Sequence, residues 1–225
     1  MSDKHLTLSL KLFANAFSPF LTVICCSCSC NIGLISGHNH LSVQVRKRYF
    51  TNVDMENEEE FRPRYVEFLT DLMYTRCTDR FAKLLSNHSV PTYEYSFEYR
   101  GQYSIVNLQG EQVDMGVAHG DDLQYIFNGI WGEELAMSPS DTKFTRNIFT
   151  PLLANFAKTS VPTPGLSEHI TTAWPPLSPS APSVLRIDSK LTVMKDYLQD
   201  RLRFWTETVP GIFTKKEKKA KKVEL

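Results

Sequence analysis

Pro91-Thr92-Tyr93-Glu94-Tyr95-Ser96-Phe97-Glu98-Tyr99 sets four aromatic residues in strict alternation with polar ones. A period of two is what a β-strand gives when one face is buried and the other is wet, because successive side chains leave it on opposite sides. Tyr93, Tyr95, Phe97 and Tyr99 therefore form the core face of a predicted strand, closed by Arg100-Gly101. Helical periodicity lies on both sides. Upstream, Phe61, Tyr65, Phe68, Leu69 and Leu72 recur at helical spacing from Glu58 onward, Phe81, Leu84 and Leu85 extend that region, and Asn87 and Pro91 end it. Downstream, Leu123, Ile126 and Phe127 begin a short predicted helix with Asp121 and Asp122 in its first turn, at the positive end of the helix dipole. A longer helix carries Phe144, Ile148, Leu152, Leu153 and Phe156 on one broad face. Ser140 and Asp141 can cap it, and Pro151 should kink it or mark a boundary. From Val161 to Ser183 six prolines, at 162, 164, 175, 176, 179 and 182, predict an extended surface connection. Val184-Leu185-Arg186-Ile187-Asp188 gives a second short strand, and Met194, Leu198, Leu202 and Trp205 mark a final amphipathic helix. The class is α/β, mostly helices with few strands.

A chain of 225 residues that is 42% hydrophobic has material for one buried core. Its 25 basic residues balance 25 acidic ones, so charge gives no reason to expect nucleic acid or an anionic membrane as the main partner. Cys25, Cys26, Cys28 and Cys30 crowd together while Cys77 stands apart, which is neither a disulfide framework nor the paired CxxC knuckles of a zinc site. His38 and His40 are expected to be solvated loop residues, and no metal or cofactor is expected. Lys4 and Lys11 precede an apolar stretch from Leu12 to Ile24, the layout of a secretory signal, which would imply secretion. Asn15, Ser18 and Pro19 interrupt that stretch, and it is shorter than the ~20 residues a membrane-spanning helix needs. A signal and an atypical N-terminus both remain open. Composition changes near Arg46-Lys47-Arg48-Tyr49-Phe50, giving an N-terminal segment over 1–45, a domain over 46–211 and a tail over 212–225. That tail holds six lysines between Lys215 and Lys222, without the interleaved aromatics and arginines of a nucleic-acid binder, and should be solvated.

The stretch Gly116-Val117-Ala118-His119-Gly120-Asp121-Asp122-Leu123-Gln124-Tyr125-Ile126-Phe127 follows the aromatic strand. A lone histidine after a strand is usually structural or solvent-facing. This segment, however, resembles the catalytic-histidine motif of the type-B carboxylesterases, the cholinesterase-like α/β-hydrolases. There a glycine lies three positions before the histidine, an acidic residue and a leucine follow, and an aromatic-rich helix comes next. Tyr93 to Tyr99 resembles the last central strand of that family. Phe156-Ala157-Lys158-Thr159 with Pro162-Thr163-Pro164 resembles the helix end and turn after the histidine, and Trp174-Pro175 the step that follows. The resemblance covers about Phe50 to Pro210 and implies the C-terminal part of an α/β-hydrolase fold.

It also implies a role for His119, which would take the proton of a nucleophilic serine and return it to the leaving alcohol. The family's serine sits at a GxSxG elbow ahead of the histidine, with the acidic partner between them. No GxSxG occurs in this sequence, and Gly33-Leu34-Ile35-Ser36-Gly37 has the wrong spacing. The glycine-rich oxyanion segment is also absent. Asp121 and Asp122 are read as caps of the next helix, so no residue is nominated as the acid. The expectation is a C-terminal fragment of a carboxylic ester hydrolase that keeps the catalytic histidine and is inactive alone. Its substrate in a complete protein would be a small-molecule carboxylic ester. The alternative is a non-catalytic, cholinesterase-like adhesion protein with a protein partner.

Overall fold

The computed structural model describes residues 40–108, 115–129 and 136–208. The chain divides into two compact units, Met1–Phe81 with Leu198–Leu225, and Ala82–Tyr197. In the first, helix α1 (His40–Tyr49) precedes α2 (Glu58–Thr70), which opens where the Asn57 side chain accepts the Glu59 N–H at 3.1 Å. Glu58, Glu59 and Glu60 place three carboxylates at the positive end of the α2 dipole. A widened π-turn over Asp71–Thr75 leads into α3 (Arg76–Asn87), and the unit closes with α7 (Gln199–Arg203) and a π-turn over Phe204–Thr208. The periodicity read from Phe61 to Leu72 is the packing face: Phe68 is buried with Val45, Tyr49, Phe204 and Trp205, and Tyr65, Leu69 and Leu72 pack against them.

One charge lies inside this cluster. Asp71 is 1% exposed and accepts from Arg201 Nη2 at 2.6 Å, Arg201 Nε at 2.8 Å and the Tyr49 hydroxyl at 2.8 Å. Trp205 Nε1 then donates to the Tyr49 oxygen at 2.8 Å. A buried carboxylate is tolerable only when its lone pairs are filled in this way.

In the second unit β1 (Tyr95–Phe97), β2 (Ser183–Ile187) and β3 (Leu191–Lys195) form a sheet in that order. The β1–β2 pair is parallel, with Tyr95 opposite Leu185, and the β2–β3 pair is antiparallel, with Leu185 opposite Val193. The regular strand is shorter than the alternation predicted. The backbone flanking it is still partnered, because Leu185 N donates to Glu94 O at 2.9 Å, Glu98 N to Ile187 O at 2.8 Å and Leu177 N to Thr92 O at 2.7 Å. All four aromatics of the alternating run pack on the core, whose centre is Phe149, Leu152, Leu185 and Ile187.

Behind that face run α5 (Pro139–Phe144), a π-turn over Thr145–Phe149 and α6 (Thr150–Thr159). The cap is Ser138, not Ser140 or Asp141: its hydroxyl accepts the Asp141 N–H at 3.1 Å, and Pro139 takes the first position, where a missing N–H costs nothing. Pro151 marks a boundary, as expected: it lies in the first turn of α6, directly after the π-turn over Thr145–Phe149. The π-turn immediately before it loosens the hydrogen-bond ladder where the proline would break it. Phe156 departs from the expected apolar face: it is exposed, though its ring still meets Tyr93 edge-on at 5.8 Å.

Two further expectations need correction. The proline-rich connection has no regular structure beyond a bridge between Ser178 and Ala181, but it is not merely a surface strap, since Pro162, Ile170, Trp174 and Leu177 are buried. Met194 belongs to β3 and not to the final helix, which starts at Gln199 after Leu198 takes a positive φ of 54°. Met194, Leu198 and Leu202 are spaced by four, so a strand residue imitated a helical period.

Among the described residues no helix is long and apolar enough to cross a membrane, and no cluster of His, Cys, Asp and Glu could hold a metal. The cysteines from Cys25 to Cys30, His38, the Leu12 to Ile24 stretch and the Lys215 to Lys222 run lie outside the described residues. His40 opens α1, where a loop residue was expected.

Replacing Arg201 by Ala strands the Asp71 carboxylate, and loss of one partner of a buried pair costs about 3–5 kcal/mol. Urea unfolding followed by circular dichroism should register a loss of that order; a change below about 1 kcal/mol, the value typical of exposed pairs, would contradict the arrangement.

Candidate active-site loop

His119 sits in a tight loop whose two neighbouring glycines, Gly116 at φ 81° and Gly120 at φ 91°, adopt left-handed backbone that other residues disfavour. Asp121 N donates to Ala118 O at 3.1 Å, and Leu123 N to Gly120 O at 3.0 Å, which curls the chain around the histidine. The loop is tied down from several directions. Tyr95, on β1, donates its hydroxyl to Asp122 Oδ2 at 3.0 Å. Arg100 donates from Nη1 to the Gly116 carbonyl. Gln124 Nε2 donates to Tyr103 O at 3.0 Å and to Asp121 O at 2.9 Å.

The acidic pair does not do what the sequence predicted. The element after it is a three-residue 3-10 turn, Leu123–Tyr125, and Asp122 makes no side-chain cap at its start. Asp121 is 3% exposed and turns back: Oδ2 accepts the Ala118 N–H at 2.8 Å and Oδ1 the Ile105 N–H at 2.9 Å, at the start of α4 (Ile105–Leu108). A single turn has little dipole to offer, whereas two backbone amides offer a buried carboxylate full hydrogen bonds. The apolar face expected on this element is also different. Tyr125 is buried, but Ile126 and Phe127 are 43% and 55% exposed. Tyr125 lies so close to Gly101 that a methyl group there would collide with its hydroxyl, which accounts for the glycine that ends the aromatic strand.

His119 itself reaches solvent. Partial desolvation of its ring lowers its pKa from the usual 6.5, and the negative charge of Asp122 opposes that shift. The imidazole is therefore mostly neutral at pH 7, the form that can accept a proton. The Tyr95 phenol moves the other way: burial, and then the Asp122 charge, push its pKa up, so it remains a donor to Asp122. His88 and His169 are exposed outside helices and strands, as expected for turn residues. The loop thus brings His119 and Asp122 into electrostatic reach of each other. The roles of Asp121, Gln124 and Arg100 left no signal in the sequence, because each acts through backbone groups that residue type does not specify.

Because the folded-state pKa of His119 is depressed, its contribution to stability is present above 6.5 and is lost as pH falls through the folded value. In a proton NMR titration the His119 ring should show a midpoint below 6.5, and Asp122→Asn, by removing the opposing charge, should lower it further. An upward move in that variant would refute the electrostatic account.

Residues 27–205 match the sequence profile of the carboxylesterase family, a match that starts ahead of the composition change at Arg46. The chain is similar to the bile salt-activated lipase of Rattus norvegicus, 29% identical over 157 residues that cover 68% of this chain and 24% of the lipase. It is also similar to neuroligin-2 of Homo sapiens, 26% identical over 196 residues covering 80% of this chain and 23% of neuroligin-2. The human bile salt-activated lipase is 27% identical over 169 residues, 73% of this chain and 22% of that protein. The chain thus spans roughly a quarter of the length of the curated relatives it matches. Matched over most of its length, and combining a small sheet with packed helices, this chain belongs to the carboxylesterase family, whose fold is the α/β-hydrolase.

Proposed function

We propose that this chain is the histidine-bearing C-terminal portion of a carboxylic ester hydrolase and that His119 is its general base. The observation that carries this reading is an imidazole open to solvent on a loop pinned to β1 and to the backbone around residue 105, with desolvation lowering its pKa. Proton transfer needs a base that is unprotonated at the working pH and held in place, and His119 meets both requirements. In the reaction His119 takes the hydroxyl proton of a serine as its oxygen attacks the ester carbonyl. It then hands that proton to the departing alkoxide, leaving an acyl-serine that water clears by the same relay.

The serine is not in a GxSxG elbow here, since the 225 residues contain none. In this reading residues 46–211 form a partial carboxylesterase domain, and the nucleophile, the oxyanion donors and the acidic partner come from chain beyond these residues. The substrate is a small-molecule carboxylic ester, in keeping with the lipase relatives. The similarity to neuroligin-2 supports a second reading, a non-catalytic protein that binds a protein partner.

On a short activated ester, the chain alone should be no faster than its His119→Ala variant. Joined to an upstream carboxylesterase segment that carries the elbow, it should turn over, and His119→Gln should lower kcat at least about a hundredfold. His88→Gln and His169→Gln should leave turnover unchanged. Saturable activity with an acyl-enzyme burst in the isolated chain, or retained activity in His119→Gln of the joined protein, would overturn the assignment. A joined protein that folds without turnover would favour the binding role.

A further inference from the structure

Three of the four buried aspartates of the described residues are satisfied in different ways. Asp71 meets a guanidinium and a phenol, and Asp141 accepts the Tyr99 hydroxyl at 3.0 Å and the Gln102 N–H at 3.1 Å. Asp121 accepts only backbone amides among the described residues, those of Ala118 and Ile105. Ala118 is held at both ends of its own residue by Asp121: its N–H goes to the Asp121 carboxylate at 2.8 Å, and its carbonyl accepts the Asp121 N–H at 3.1 Å. The two bonds close a ring whose remaining members are His119 and Gly120. Gln124 fixes the far side by joining the Asp121 carbonyl to the Tyr103 carbonyl. The backbone of His119 is left almost no freedom, and its imidazole is placed by side-chain rotation alone.

From this geometry we infer that Asp121 is a positioning residue: its carboxylate staples the His119 loop to the start of α4 and so sets where the imidazole stands. The inference rests on the reading of His119 as general base. Asp121 is too buried to reach a substrate, and it acts on His119 through the Ala118 and Gly120 peptide groups. A carboxylate suits this task because both oxygens accept. An asparagine at the same place turns an N–H toward one of the two amides and opens one end of the staple.

The test compares Asp121→Asn with Asp141→Asn, which removes an equally buried carboxylate from the same unit. In the 225-residue chain, Asp121→Asn should speed Ala118 amide exchange at least about tenfold, because a protecting hydrogen bond is opened. It should also move the His119 midpoint up toward 6.5 as the ring gains water, with Asp122 still the opposing charge. Asp141→Asn should leave both readings where they are. If Asp121→Asn does not fold, Gln124→Ala loosens the same ring from its far side and should shift both in the same direction by less. In the joined, active protein Asp121→Asn should lower kcat about tenfold or more with KM unchanged, as expected when a reacting group is misplaced. Unchanged exchange and midpoint in a folded Asp121→Asn, or equal changes in Asp141→Asn, would overturn the inference. If both signals move in Asp121→Asn while His119→Gln of the joined protein keeps its activity, the general-base reading fails and the staple stands.

Discussion

The aromatic face of β1 and its flanks is the contact on which the second unit depends. Tyr99 and Phe144 stack with ring centres 3.7 Å apart and planes 2° from parallel, Phe97 meets Phe149 at 5.2 Å, and Tyr95 meets Trp174 edge-on at 5.8 Å. Large rings supply most of the apolar area that a small sheet can bury. They also bring hydroxyls into places where water cannot serve them. Tyr95 solves this by donating to Asp122, and Tyr99 by donating to Asp141. Burial, with the hydrogen bond and charge of Asp141, pushes the Tyr99 pKa up to about 12, so its phenol stays protonated and keeps donating at any physiological pH. The rings make the core, and their hydroxyls reach out of it to hold the loop and the helix start on either side.

The same device recurs in the first unit, where the Tyr49 ring lies in the apolar cluster and its hydroxyl meets Asp71. In all three pairs the tyrosine belongs to the packing face and the aspartate to a junction between elements. A phenol is a good partner for a carboxylate in such a position, because it brings a donor without a second charge that would also need solvation. Only Asp71, the deepest of the three, has a guanidinium as well.

The pattern that was legible in the sequence was the one created by burial. Alternation from Tyr93 to Tyr99, helical spacing from Phe61 to Leu72, and the Val184 to Asp188 run each became part of a core because periodicity reports which side of an element meets apolar surface. What the sequence hid was set by partners distant in the chain. Asp121 and Asp122 look like helix caps from local order alone; Tyr95 and Ile105, which claim them instead, lie 27 and 16 positions away. Met194 failed for a related reason, since a strand of five residues is too short to separate a period of two from a chance spacing of four. His119 stands out by the motif around it, whereas the staple behind it was invisible, because hydrogen bonds to peptide groups leave no mark on residue type.

The parallel pairing of β1 with β2 has a kinetic consequence. Tyr95 and Leu185 are neighbours across the ladder but 90 positions apart in the chain, and everything between them, including the His119 loop, is enclosed by that pairing. Closing so long a loop carries an entropy cost that local contacts cannot recover early, so such ladders form late on the way to the native state. Tyr95, the hydroxyl that grips Asp122, is one of the three residues that zip up in this step. The His119 loop is thus enclosed by one of the long-range contacts of its unit, and its ordering is tied to that late closure and not to its own short turn alone.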